Sequence, residues 1–263
     1  MKTDDTLGDW RIQGVTRITK DLPAAFPGGP SHKAGTPIHL GTSTRGTGDQ
    51  PIGFVTPSST ALALSIAINA SIQSVILFQQ IIFENVSTPE GPGMSVLYKK
   101  ISPLFDYFES CMTTVTFSYQ ALETFCNWEI ADKIQGTFTV KRDNVDETFT
   151  VDEIERRLST EEKLHLIIPM LFGTASPKGR KAWENFKKLK HARDSIVHLK
   201  SSDQYPNRNL PATVDKDSLY FVFLNNKMTY FPKAAIIMIQ HFYPGSKGIP
   251  RWLEKPIEFA NQN

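Results

Sequence analysis

The chain has 263 residues, of which 40% are hydrophobic and 21% are charged, and its formal net charge at pH 7 is +2. A chain of this length can bury a sizeable core, and the composition is that of a soluble globular protein rather than of a disordered chain. A net charge this small excludes a uniformly basic nucleic-acid-binding protein, so any contact with nucleic acid must depend on a local basic patch.

The cysteines and the first residues favour a reduced, cytoplasmic protein. Cys111 and Cys126 are fifteen residues apart in one predicted helix, which places them far beyond disulfide distance. Residues 1–10 are acidic and polar, unlike a secretory signal. The apolar stretch at 61–83 contains seven Ser, Asn and Gln residues. It is interpreted as a buried or interface helix, so no membrane association is expected.

The first half of the chain predicts an arm followed by helices. Residues 1–58 contain nine of the sixteen glycines, which favours an extended arm with short strands possible at 10–18 and 37–40. A helical domain is predicted at 59–245, beginning with a helix that Ser59 and Thr60 could cap and that runs to about Asn85. After a turn at 88–93, a long helix is expected from about Leu104 to Lys133. Its inner face carries apolar residues at spacings of three and four: Phe108, Met112, Val115, Tyr119, Leu122 and Cys126.

The second half predicts a hairpin and further helices. Alternation with a period of two predicts a small β-hairpin inserted at about 136–151. Helices are expected at 151–158, 160–171, 180–201 and 233–242, with a short strand at 219–224 and a C-terminal tail at 246–263. The predicted fold class is mainly α: a helical bundle with a small β-hairpin insertion and an extended, Gly/Pro-rich N-terminal arm.

The most informative motif lies near the end of the basic helix, where the chain reads Arg193-Asp194-Ser195-Ile196-Val197-His198. Arginine is permanently charged and histidine changes charge near neutral pH, a pair that suits phosphodiester chemistry. On a helical projection Arg193 falls in the middle of an apolar stripe, and His198 lies about 140° away from it. An arginine on such a stripe needs an anion, a carboxylate or another chain as its partner. The stripe consists of Ala182, Phe186, Leu189, Ile196 and Val197.

Several neighbouring residues are candidates for supporting roles. Asp194 precedes His198 by four residues, the spacing at which a carboxylate can hold an imidazole. Residues 178–193 contain seven Lys or Arg residues against one Glu, and they could gather a phosphate backbone. The alternative is an ordinary solvated helix face. In the long helix, Glu123 is the simplest candidate for a carboxylate partner of Arg193, if the two helices pack together.

The Arg-x4-His motif and the predicted long helix together resemble a HEPN domain. HEPN is a helical family whose name stands for 'higher eukaryotes and prokaryotes nucleotide-binding'. Its ribonuclease members carry Arg-x(4–6)-His, commonly with Asn, Asp or His directly after the Arg, and residues 193–198 fit that pattern. Residues 121–127 resemble the first long helix of many bacterial members, in which a Glu and an Asn recur, here Glu123 and Asn127. The resemblance covers about residues 60 to 245, and the arm and the hairpin lie outside it.

The resemblance implies a metal-independent endoribonuclease that acts as a homodimer with a composite active site and needs no cofactor. The RNA 2′-hydroxyl would attack the adjacent phosphorus and leave 2′,3′-cyclic phosphate and 5′-hydroxyl ends. His198 would be the general base or acid, Arg193 would stabilise charge on the phosphoryl oxygens, Asp194 would orient His198, and Glu123 would position Arg193. The residues expected to bind RNA are Lys187, Lys190, His191 and Asn127. Such proteins are often toxins or anti-phage effectors, so a neutralising antitoxin or an activating partner is expected.

Three alternatives remain open at the level of sequence. The first is a catalytically silent HEPN module that binds a nucleotide, RNA or another protein. The second is a metal-dependent enzyme that uses His191, Asp194 and His198, which share one flank of the helix. The third is a helical structural subunit of a larger assembly. The Gly/Pro-rich arm is the one feature that supports this interpretation.

Overall fold

The computed structural model describes residues 8–24, 29–88, 91–142, 144–199, 218–246 and 248–262. The fold is mainly helical, as the sequence predicts. Its helices are α1 (Ser59–Phe78), α2 (Ile101–Lys133), α3 (Val151–Arg157), α4 (Thr160–Glu162), α5 (Ile168–Phe172), α6 (Lys181–Val197), α7 (Leu219–Asn225), α8 (Tyr230–Gln240) and α9 (Arg251–Asn261). A π-helical turn, Lys163–Ile167, joins α4 to α5, and 3₁₀ turns lie at Tyr98–Lys100 and Pro244–Ser246.

The strands form separate two-stranded antiparallel sheets. They pair as β1 (Val15–Arg17) with β2 (Pro37–His39), β3 (Gly41–Arg45) with β4 (Pro51–Val55), β5 (Phe83–Thr88) with β6 (Gly91–Val96), and β7 (Thr137–Arg142) with β8 (Val145–Thr150). The strands predicted in the arm and the hairpin predicted at 136–151 are confirmed. At the turn of that hairpin Asn144 has a φ of 67°, in the left-handed region that Asn tolerates better than most residues.

Helices α1 and α2 run antiparallel and pack closely along their length. Near one end the hydroxyl of Thr124 donates a hydrogen bond to that of Thr60 at 3.3 Å, and near the other the rings of Phe78 and Tyr107 are 5.2 Å apart. Small residues on the inner face of α1 make this close approach possible. They include Ala61, Ala63 and Ala67, all buried.

Helix α8 completes the core on the inner side of α2. Its face of Ile236, Met238 and Ile239 is fully buried because it packs against α2, α6 and α9. Of the described helices, α1 alone is long and apolar enough to cross a membrane by length and composition, with a mean hydropathy of 1.9. However, 44% of that stretch is buried inside the protein.

Two predicted boundaries are wrong because the helices end early. Helix α1 ends at Phe78 and not at about Asn85, and residues 83–88 instead pair as strand β5 with β6. Helix α6 ends at Val197, so His198 is the C-cap residue rather than a residue of the helix interior. Residues 200 and 201 of the predicted helix lie outside the described residues, as do residues 1–7 and 25–28 of the arm, residues 89–90 of the predicted turn, and Asp143.

Two further predictions assign the wrong type of structure to their segments. The strand expected at 219–224 is helix α7, because the Ser218 hydroxyl accepts a hydrogen bond from the Phe221 backbone N–H and starts a helix there. The tail expected at 246–263 contains helix α9. Trp252 and Leu253 bury their side chains in the core, which holds this helix against α8.

Candidate functional site

Helix α6 positions the Arg-x4-His motif against α2. Phe186, Leu189 and Ala192 are buried between the two helices and α8, and they fix the rotation of α6 about its axis. Arg193 follows directly and emerges at the edge of this contact with its side chain 26% exposed. The apolar stripe predicted from sequence therefore faces the core as far as Ile196, which is half-buried and packs against it. Val197, by contrast, is 58% exposed and lies outside it.

The guanidinium of Arg193 is held by an aromatic ring and one carboxylate. Its Cζ atom lies 3.9 Å from the centre of the Tyr119 ring, within range of a cation–π interaction. Its Nη1 atom lies 3.1 Å from Oδ1 of Asp194. Its Nε atom is buried and has no hydrogen-bond partner in the described part of the chain. The Nε–H of Arg193 is thus an unused donor, and burying it without a partner costs free energy.

Asp194 contacts basic side chains rather than His198. Its Oδ2 accepts a hydrogen bond from Nζ of Lys190 at 3.2 Å, which raises the pKa of Lys190 and keeps that ammonium charged. The contact between Asp194 and His198 is through the backbone, where the His198 N–H donates to the Asp194 carbonyl at 2.9 Å. The prediction that Asp194 orients the imidazole is therefore wrong in this structure. The α6 helix ends at Val197, and the ring of His198 is exposed beyond it.

Basic residues of α6 meet an acidic residue of α4. Nζ of Lys187 donates to Oε1 of Glu161 at 2.9 Å, and Nζ of Lys190 lies 3.7 Å from Oε2 of the same carboxylate. Lys190 is therefore shared between Glu161 and Asp194. This network partly neutralises the basic face, so a phosphate approaching Lys187 or Lys190 competes with carboxylates already in place.

Asn127 binds a buried lysine, and Glu123 lies close enough to that lysine to affect its pKa. Lys163, 2% exposed, donates to Oδ1 of Asn127 at 2.8 Å and to the Glu155 carbonyl at 3.1 Å. Burial lowers the pKa of Lys163, and the negative charge of Glu123 opposes that shift. No ion pair within 4.0 Å joins Glu123 to Arg193, so the prediction that Glu123 positions Arg193 is wrong. The Oδ1 atom of Asn127 accepts the hydrogen bond from Lys163, and the role of Asn127 as an RNA-binding residue stays a prediction.

His191 lies on the exposed side of α6, and its role as an RNA-binding residue stays a prediction. Within the described ranges, no group of three or more His, Cys, Asp and Glu side chains is arranged to hold a metal ion. The set of His191, Asp194 and His198 is therefore not assembled as a ligand group, because Asp194 turns toward Lys190 and Arg193.

An aromatic cavity lies beside the end of α6. It has a volume of about 440 Å³ and is lined by Phe105, Phe108, Glu109, Met112, Leu199, Leu219 and Tyr220. Leu199 is the residue directly after His198. The rings of Phe108 and Tyr220 are 5.0 Å apart, while Phe105 exposes 55% of its surface. The cavity thus offers apolar, aromatic walls within one residue of the histidine of the motif.

The sequence predicted no role in the site for three of its residues: Tyr119, Glu161 and Lys163. The spacing of apolar residues places Tyr119 on the inner face of α2, but it does not predict that the ring contacts the guanidinium of Arg193. Glu161 and Lys163 precede an apolar run, which signals the start of a helix and not a site. Comparison with protein-family models, with curated proteins and with solved structures finds no match for this chain.

Proposed function

We propose that the chain is a HEPN-like endoribonuclease that cleaves single-stranded RNA without a metal ion, with Arg193 and His198 at the reacting phosphodiester. The observation that supports the proposal is the set of contacts and the exposure of the Arg193 side chain. It is oriented by Tyr119 and Asp194, is partly exposed, and keeps a buried Nε–H without a partner. A phosphate oxygen is an acceptor of the right charge for the exposed part of this guanidinium, whereas the buried Nε–H becomes available to it only when the side chain moves.

The reaction needs two proton transfers and stabilisation of a charged phosphorane. The 2′-hydroxyl oxygen bonds to phosphorus while its proton passes to a histidine, and the bond from phosphorus to the 5′-oxygen breaks. A second histidine returns a proton to that oxygen. In the proposed homodimer, His198 of each copy takes one of these roles, and Arg193 stabilises the negative charge on the phosphoryl oxygens. The products are a 2′,3′-cyclic phosphate and a 5′-hydroxyl.

The aromatic cavity supports single-stranded RNA as the substrate class. Bases that have left a helix stack on aromatic side chains, and each such contact contributes about 1–3 kcal/mol. Phe105, Phe108 and Tyr220 provide those surfaces next to Leu199, and so next to His198. A base paired within a duplex cannot enter a pocket of this kind.

A second candidate function is a HEPN module that binds RNA without cleaving it. The observation that favours it is the exposed ring of His198, which forms no hydrogen bond with any other residue that the structure describes. A catalytic imidazole is normally oriented by a partner. In the cleaving form, the second copy or the RNA itself supplies that partner.

The test compares RNA cleavage by the wild type and by three variants, with EDTA present and the ends of the products mapped. His198→Ala removes the proton carrier, and Arg193→Lys keeps the charge but loses the planar donor fork. His32→Ala is the control, because His32 is an exposed histidine of the arm and lies outside the proposed site. We expect the first two variants to lose at least about a hundredfold of the rate, and the control to keep it.

The outcomes separate the two candidates. Cleavage with cyclic-phosphate ends that depends on His198 supports the ribonuclease. RNA binding without cleavage in the wild type supports the silent module.

We further propose a role as a toxin or anti-phage effector with an antitoxin or activating partner. Induced expression of the wild type should then stop cell growth, while His198→Ala should not.

A further inference from the structure

The aromatic cavity at the end of α6 has one charged group in its walls. Among the described residues that line it, Glu109 of α2 alone carries a charge. The other polar side chain there is Tyr220, and the remaining five residues are Phe, Met or Leu. Its volume of about 440 Å³ lies within the range of about 300–1,000 Å³ of pockets that hold small ligands. Such pockets are mostly apolar, and a few polar groups fix the orientation of the ligand. The Glu109 carboxylate is therefore the strongest polar feature that a ligand meets.

Helical spacing along α2 brings Glu109 to the cavity. Phe105, Glu109 and Met112 follow one another at spacings of four and three, so they share one side of the helix. Glu109 stands at the edge of that side, because it also borders a groove between α1 and α2 that contains Asp106. Its side chain is exposed, and within the described ranges its carboxylate has neither an ion-pair partner nor a hydrogen-bond donor. Both carboxylate oxygens are therefore available to a ligand.

A carboxylate distinguishes between the four RNA bases. It only accepts hydrogen bonds, and its two oxygens can accept from two neighbouring donors. Guanine presents such a pair on its Watson–Crick edge, where N1–H lies beside the 2-amino group. On the same edge adenine, cytosine and uracil each place a donor beside an acceptor, which the second carboxylate oxygen repels. A phosphate is repelled as well, so the cavity suits a base and leaves the phosphate to Arg193.

We propose that this cavity binds a guanine base of single-stranded RNA, with Glu109 accepting hydrogen bonds from N1–H and from the 2-amino group. The inference rests on the proposed ribonuclease function and extends it to the choice of base. The rings of Phe108 and Tyr220 contact each other, with centres 5.0 Å apart and planes tilted by 51°, so no base fits between them. Phe105 is 55% exposed and offers an open ring on which the base can stack.

The cavity lies beside the proposed reaction site. Leu199 forms part of its wall and directly follows His198 in the chain. A base in the cavity therefore belongs to a nucleotide that adjoins the reacting phosphate, and cleavage is expected at a bond that flanks a guanosine. Because Glu109 holds the base and His198 transfers the proton, a change at Glu109 should alter the choice of base and leave the proton transfer intact.

The first experiment measures binding in the absence of cleavage. The probes are single-stranded oligomers of 2′-deoxyuridine with one central base: guanine, hypoxanthine, adenine, cytosine or uracil. They lack the 2′-hydroxyl that attacks phosphorus, so the full-length wild type cannot cleave them by the proposed reaction. We expect the guanine oligomer to bind at least about fivefold more tightly than those with adenine, cytosine or uracil. Hypoxanthine keeps N1–H and lacks the 2-amino group, so its oligomer should bind with intermediate affinity.

A pair of matched variants assigns the preference to Glu109. Glu109→Gln keeps the size of the side chain but replaces one acceptor with a donor, and the preference for guanine should disappear. Asp106→Asn is the control, because it removes the same charge from an exposed residue one turn away that does not line the cavity. The control should keep the preference. Equal affinity for all the bases, tighter binding of another base, or equal effects of the two variants would overturn the proposal.

The second experiment maps the cleavage sites in an unstructured RNA of mixed sequence, with EDTA present. We expect cuts at bonds that flank guanosines in the wild type and in Asp106→Asn, and cuts without this preference in Glu109→Gln. Cleavage by the wild type without a preference for guanosine would refute the guanine site and leave the ribonuclease function standing. Guanine-selective binding without any cleavage would refute the ribonuclease function and support the guanine site.

Discussion

Arg193 of α6 and Tyr119 of α2 are joined by a cation–π contact, with the guanidinium carbon 3.9 Å from the centre of the ring. Such contacts contribute about 0.5–2 kcal/mol, the larger values where water is excluded. Tyr119 is 5% exposed and packs beside Phe186, so its own position is fixed by the core. An aromatic ring, rather than the expected carboxylate of Glu123, therefore sets the direction of the arginine.

The contact between Arg193 and Tyr119 can be tested by a matched pair of substitutions. Tyr119→Phe keeps the ring, and Tyr119→Leu removes it. The Leu variant should lose about 1–3 kcal/mol of unfolding free energy, measured by urea denaturation. RNA cleavage should fall about tenfold in the Leu variant and less than about twofold in the Phe variant, because only the former frees the guanidinium. Equal cleavage by both variants would show that the ring does not position Arg193.

The buried ammonium of Lys163 should be important for stability. Lys163→Met keeps most of the volume but removes the hydrogen bonds to Asn127 and to the Glu155 carbonyl. We expect a loss of about 1–3 kcal/mol in urea denaturation, because buried acceptors lose their donor. Lys181→Met is the control, since Lys181 is exposed and forms a surface ion pair with Glu184. A Lys163 variant as stable as the control would contradict the prediction.

Glu129 should make stability depend on pH. Burial raises the pKa of this carboxyl, partly opposed by hydrogen bonds from Lys133 and Tyr243. The folded state therefore favours the protonated form more than the unfolded state does. The stabilisation is present below the ordinary value of 4.5 and is lost as pH rises through the folded-state value.

The measurement for Glu129 is thermal unfolding of the wild type and of Glu129→Gln between about pH 4 and about pH 7. The difference in Tm should favour the wild type most at the acidic end and should shrink or reverse as pH rises. The glutamine variant does not titrate and serves as the reference. A difference that grows in favour of the wild type with rising pH would have the wrong sign and would refute the assignment.

Helix α9 should be a structural part of the domain. Trp252 is 4% exposed, and its removal leaves a large void. Trp252→Ala should cost about 3–5 kcal/mol of unfolding free energy. Glu258→Ala on the exposed side of the same helix should change stability by less than about 0.5 kcal/mol. If both variants were equally stable, α9 would be a loosely attached tail, as the sequence had suggested.

Helices and hairpins that depend mainly on the spacing of neighbouring residues could be predicted from the sequence. The hairpin β7–β8 was predicted at its observed position because β-branched and aromatic residues alternate on both sides of a turn. Helix α2 was placed within a few residues because its apolar side chains recur at threes and fours over 33 residues. Helix α9 was missed, since Pro256 inside it and glycines before it are typical of loops. Its helical form depends on burial of Trp252 and Leu253 in the domain core.

The sequence by itself determined that this protein is mainly helical, and that Arg193 shares a helix face with core residues. Tertiary structure alone decided the partners of the candidate site: Tyr119 for Arg193, Lys190 for Asp194, and Lys163 for Asn127. The reason is physical. Spacing along a helix fixes which side chains share a face, but contacts between helices depend on how those faces rotate and pack against each other.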